Sequence, residues 1–162
     1  MAERKSDILI LGIGNTDRGD DGVGSAVTEL LADRFDRRVT IATHNGEATS
    51  LLARMEEADT VYLVDACAPA GDPGLVHRLD AHDASFPSLT SDVSTHGFGL
   101  GAAIELARAL NQLPAQSIVF AIEGADFAAG AALSPPVATA AQSVADRIAD
   151  ELTDHLKEST HA

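Results

Sequence analysis

The chain has one cysteine, Cys67, in 162 residues, no tryptophan, and an aromatic content of only 4%. A lone cysteine excludes a disulfide scaffold and fits a reducing compartment. Lysine is nearly missing as well, with Lys5 and Lys157 standing alone, so the basic side chains are otherwise arginine. No apolar run approaches the roughly 20 residues that a membrane span needs. The charged opening "MAERKSD" leads only into a strand-length apolar run, so no secretory signal is expected and a soluble cytoplasmic protein is. Positive charge is in deficit overall. The formal net charge is −14, a field that repels nucleic acid and anionic lipid and favours a basic partner surface.

What is present is a globular composition, 45% hydrophobic, in a chain long enough to bury about two thirds of its unfolded surface as one domain. Apolar, β-branched runs alternate with longer helical patterns, the signature of βαβ units around a mainly parallel sheet. The run "DILILGI" (7–13) has the continuous hydrophobicity of a strand covered on both faces. Further strands are expected at 38–43, 60–66, near 75–79 and at 116–124. In 22–35, Val23, Val27, Leu30 and Leu31 recur at helical spacing. Other helices are expected at 47–58, 96–113 (with Thr95 or a neighbour as cap) and 135–156, the last opened by Pro135 or Pro136 and fraying beyond its end. The polar stretch 81–95, broken by Pro87, reads as a long surface loop. The expectation is a three-layer α/β/α sandwich, residues 1–162 forming a single domain around a twisted, mostly parallel sheet of about five strands.

In open α/β sheets the ligand crevice lies beyond the carboxyl ends of the strands. Asp20 and Asp21 fall there, in the loop after the first strand, Asp65 ends the third, and His96 opens the helix after the long loop. The glycines of "GIGNTDRGDDGVG" suggest a phosphate loop, but Asp17 occupies the third glycine position of a dinucleotide fingerprint and no G-K-[ST] follows. Paired carboxylates beside a pyrophosphate would also repel it. A cation suits the loop better. Asp21 and Asp65 with an imidazole nitrogen of His96 would suit a borderline divalent metal such as zinc or nickel. Taken singly these residues have plainer uses: Asp20 and Asp21 can complement a helix dipole, Asp65 can cap a loop, and Cys67 can be a small buried hydrophobe. No Ser-His-Asp arrangement is suggested, since G-x-S-x-G is absent.

"GIGNTDRGDDGVG", then "VYLVDA" with "GDPG" after it, then "STHGFGL", then "IEGADF…G…LSPPV" occur in one order over about residues 8 to 150. In this the chain resembles the hydrogenase maturation endopeptidases, which process the large subunit of nickel–iron hydrogenases. The resemblance implies an α/β/α fold and cleavage of a C-terminal extension from the precursor once nickel has been inserted. It implies Asp21, Asp65 and His96 as both the metal-contacting and the catalytic residues. Nickel would be presented by the substrate, with zinc or cadmium able to replace it in vitro. Asp20 would orient the loop or act as a base. The expected partner is the large-subunit precursor, with no nucleic acid or membrane, and the protein a monomer. Where some relatives carry an aspartate followed by a Gly-Gly-Thr turn, this chain reads "ATHNGEATS", placing His44 and Glu47 there. The competing expectation is a metal-dependent chaperone that binds a metalloenzyme precursor without cutting it.

Overall fold

The computed structural model describes residues 7–83 and 100–161. Five strands form one sheet in the order β2-β1-β3-β5-β4, with β1 Ile8–Ile13, β2 Val39–His44, β3 Thr60–Cys67, β4 Val76–Asp80 and β5 Gln116–Glu123. β1 pairs in parallel with β2 and β3, and β3 with β5; β4 alone runs antiparallel. β1 and β3 are buried along their whole length, and β5 after its first residue. Their continuous apolar sequences therefore reflect a sheet covered on both faces.

The helices are α1 Val23–Leu31, α2 Ala48–Met55, α3 Leu100–Ala109 and α4 Pro135–His161. The period of two along β3 divides the core into two layers. Tyr62, Val64 and Ala66 join Val23, Val27 and Leu31 of α1 and Val137, Val144 and Ile148 of α4. Val61 and Leu63 face the other way, toward Leu51 and Met55 of α2 and Ala103 and Ile104 of α3. This is the three-layer α/β/α sandwich that the periodicity predicts.

Helix ends differ from expectation. α1 stops at Leu31 rather than near 35, and α4 continues to His161 instead of ending near 156. The expected loop 81–95 and cap Thr95 lie mostly outside the described residues, as do the first residues of the 96–113 helix. α1 lies directly on the sheet backbone. A Cβ on Gly24 would come within 2.6 Å of Ile13 N and Val64 O, so this contact requires glycine.

From β1 the chain steps outward to β2, then crosses back over β1 to β3. The connections after β1 and β3 leave in opposite directions, opening a crevice at the carboxyl edge between those strands. The segment after β1 and the last residues of β3 border it.

Candidate active site

The loop after β1 turns on Gly14, whose φ of +132° is strained for any residue with a Cβ. Gly14 N donates to His44 O, fastening the loop to the end of β2. Asn15 N donates to Asp21 Oδ2 at 2.7 Å, and Asp17 N to Asn15 Oδ1 at 2.9 Å. The chain then enters a short 3-10 turn, Gly19–Gly22, in which both aspartates are buried.

The two neighbours have opposite environments. Asp20 points away from the crevice into the segment between β5 and α4. It accepts from Ala125 N at 2.7 Å, Asp126 N at 2.9 Å, Ser134 N at 2.7 Å and Ser134 Oγ at 2.8 Å. Its own N–H donates to Asp126 O. Burial raises its pKa, but the backbone donors and the Ser134 hydroxyl outweigh this and hold the carboxyl below its ordinary range. Its oxygens are thus taken up by the 125–134 segment, an arrangement suited to orienting the loop.

Asp21 turns the other way, to Asp65. Asp65 does not cap a loop; it lies inside β3, which runs two residues further to Cys67. It is buried on the face set by Leu63 and accepts from the N–H of Ala66 at 2.8 Å. Burial first, and the charge of Asp21 second, push its carboxyl well above the usual range. The two carboxylates that the sequence selects are thus brought together at the switch point. A dry, like-charged pair of this kind stabilises either a proton or a cation. His96 lies outside the described residues. Among the described residues no group of three or more His, Cys, Asp or Glu side chains is arranged to hold a metal ion.

The remaining candidates have structural employment. Cys67 is buried, and desolvation, with Glu123 and Asp65 nearby, pushes its thiol up to about 12, which disfavours the thiolate that a nucleophile or metal ligand needs. His44 Nδ1 accepts from Gly46 N at 2.9 Å, which assigns the ring proton to Nε2, 3.1 Å from Ser50 Oγ. Burial lowers its pKa. Glu47 caps α2, accepting from Thr49 N and Ser50 N; the Ser50 N–H leads in holding its carboxyl at about 2.

One functional-edge residue escapes sequence reasoning. Glu123, the last residue of β5, is buried opposite Cys67 and accepts from the N–H groups of Ala70 and of Asp72, the latter at 2.7 Å. The Asp72 N–H leads in lowering its pKa. Glu123 therefore fixes the "APAGD" turn beside Asp65 much as Asp20 fixes the segment beside Asp21. Its only sequence signal is a charged residue ending an otherwise apolar strand.

The chain is thus of the doubly wound α/β class, with an acidic pair at the switch point where such sheets bind their ligands. Comparison with known proteins identifies the family. The hydrogenase maturation protease model matches residues 25–151. The hydrogenase expression/formation protein HupD of Bradyrhizobium diazoefficiens is 30% identical over 135 residues, covering 80% of this chain and 69% of HupD. Among solved structures, the hydrogenase maturating endopeptidase HybD of E. coli matches with a TM-score of 0.74 at 23% identity, covering 94% of this chain and 93% of that one. The [NiFe] hydrogenase maturation protease HycI of Thermococcus kodakarensis matches with a TM-score of 0.71 at 26% identity, covering 91% and 93%. The chain belongs to the hydrogenase maturation protease family and is a peptidase.

Proposed function

We propose that this peptidase removes the C-terminal extension of a nickel–iron hydrogenase large-subunit precursor after nickel insertion, and that Asp21, Asp65 and His96 meet the nickel that the precursor carries. The observation that supports this most is the buried Asp21–Asp65 pair, placed where an open α/β sheet binds its ligand. Two carboxylates and an imidazole suit a borderline divalent ion, with zinc or cadmium as substitutes in vitro. A cation so held supplies Lewis acidity, polarising the scissile carbonyl or lowering the pKa of an attacking water.

The protein's own groups do the rest. Asp65, held toward its neutral form, gives up its proton when positive charge approaches, and Asp21 draws that charge in. A precursor tail without metal offers no such compensation, so docking at the pair depends on the loaded state. Asp20 and Glu123 keep the two flanking segments fixed while this happens. The enzyme acts in the cytoplasm as a monomer. No helix among the described residues is long and apolar enough to cross a membrane.

The test is the intact mass of a nickel-loaded precursor incubated with wild type, Asp65→Asn or His96→Ala. Wild type yields a defined C-terminal mass loss and both variants do not. Asp65→Asn replaces a carboxyl already held toward its neutral form with an uncharged group of the same shape, so its urea midpoint stays close to that of wild type while cleavage is lost. Cleavage that persists in a folded Asp65→Asn removes the proposed site. Binding of loaded precursor by wild type without any mass loss removes the proposed reaction.

A further inference from the structure

The two edges of the sheet are built differently. β4 carries His77, Arg78 and Asp80, and Arg78 is clasped by Glu151 at 2.6 Å, so charge guards that edge. β2, "VTIATH", has six residues in unbroken register with β1 and contains no Lys, Arg, Asp, Glu, Pro or Gly. Its ladder geometry is explicit. Ile8 N donates to Arg38 O and Gly14 N to His44 O, so the backbone groups of residues 38, 40, 42 and 44 face β1. In a strand the N–H and C=O of one residue point the same way, so those of Val39, Ile41 and Thr43 face outward. Val39 N is taken by Asp36 O. Ile41 and Thr43 remain, presenting two donors and two acceptors on an edge with no paired strand among the described residues.

This edge does not end in empty surface. Thr43 is exposed and, with His44, Asn45, Ser50, Gly14 and Ser25, lines a cleft of about 410 Å³, within the size range of ligand sites. Gly14 joins that cleft to the acidic pair, since a Cβ there would lie 3.1 Å from Asp21 Oδ1. The cleft wall is rigid: His44 is held by Gly46 and Ser50, and Asn45 Oδ1 accepts from Glu47 N at 2.9 Å. An uncharged open ladder, a polar cleft and the candidate site thus form one continuous path.

We propose that the precursor segment flanking the scissile bond docks as an added strand on β2, hydrogen-bonded to Ile41 and Thr43, and crosses the His44 cleft to Asp21. This rests on the protease reading above and names how its substrate is held. A peptide bond presented for cleavage must be drawn out extended, and strand addition supplies that conformation through backbone bonds that tolerate varied side chains.

Hydrogen exchange read by mass spectrometry over residues 39–46 tests this on the wild-type protein. Adding saturating nickel-loaded precursor slows two amides in that window, those of Ile41 and Thr43. Thr43→Pro deletes one outward N–H and leaves the β1 ladder intact. It raises KM for the precursor about five- to ten-fold with kcat retained, the loss expected of one backbone bond plus local displacement. Thr43→Val, which keeps the N–H, raises KM less than Thr43→Pro does. Bound precursor, verified by co-elution, without slowing in the window overturns the proposal, and so does slowing that rises with protein concentration alone, which would place a second copy on the edge. Should Thr43→Pro misfold, the wild-type exchange decides. Docking and cleavage are read separately: slowed exchange with unchanged precursor mass supports the strand addition and refutes the protease reading alone.

Discussion

Asp20 is the residue at which anchoring and chemistry can be separated most cleanly. Its carboxylate accepts two backbone N–H groups and a hydroxyl on Oδ2 and a third N–H on Oδ1. Asn in its place keeps one oxygen and sets an NH2 group against donors that it cannot satisfy. At least one charge-assisted bond is lost, worth about 1.5–3 kcal/mol. Ala loses all four. Ala125 and Asp126 are exposed, so their freed N–H groups regain water, whereas Ser134 is half-buried. Discounting the first two on that ground, Asp20→Ala costs about 3–5 kcal/mol, among the largest single-residue effects. Urea unfolding monitored by circular dichroism gives both values, and the order Asp20→Ala above Asp20→Asn is as informative as the sizes. Activity falls in proportion to the unfolded or loosened fraction and recovers for Asp20→Asn under stabilising conditions such as added sulfate. An Asp20→Asn protein that unfolds at the wild-type midpoint yet never cleaves would refute the anchoring argument and make Asp20 a reacting group.

Two further predictions concern residues near the same edge. Glu47 has its folded pKa depressed to about 2, so its contribution is fully present above the ordinary glutamate value and is lost as pH falls toward 2. The Tm difference between wild type and Glu47→Gln is therefore constant from about pH 5 upward and closes in acid; a difference that grows on acidification contradicts the cap. Cys67, buried and pushed up to about 12, resists iodoacetamide at pH 8 in the native protein and reacts once unfolded in urea, as mass spectrometry would show. Rapid native alkylation would mean that the β3 end opens.

The sheet was legible because its strands are buried on both faces. "ILILGI" and "TVYLVDAC" can be little else than inner parallel strands, and the helix pattern from Val23 to Leu31 has one clear apolar face. Boundaries were less legible where no local signal sets them. α4 runs past residue 156 because nothing in "KESTH" stops a helix, and β3 runs past Asp65 because its pairing with β5 continues through Cys67 and Glu123. The site followed the same division. Asp21 and Asp65 could be placed together because strand ends at a switch point converge whatever the loop details. The partners of Asp20 and Glu123 could not, since they are backbone N–H groups, which every residue carries and no sequence pattern marks.

That division has a physical consequence for how the site is held. A buried pair of carboxyls is costly to hold together, and the segments flanking Asp21 and Asp65 are fixed by groups outside the pair. Asp20, adjacent to Asp21, binds the segment from 125 to 134; Glu123, opposite Cys67 and one strand from Asp65, binds the turn at 70–72. Each anchor is a carboxylate that accepts backbone N–H groups, which hold its pKa below the ordinary range. Asp21 and Asp65 face one another instead, and burial together with the charge of Asp21 raises the Asp65 pKa well above the usual range. Of the four acidic residues at this edge, Asp20 and Glu123 turn to the flanking backbone and Asp21 and Asp65 to each other, which is why the second pair is the one proposed to meet a metal.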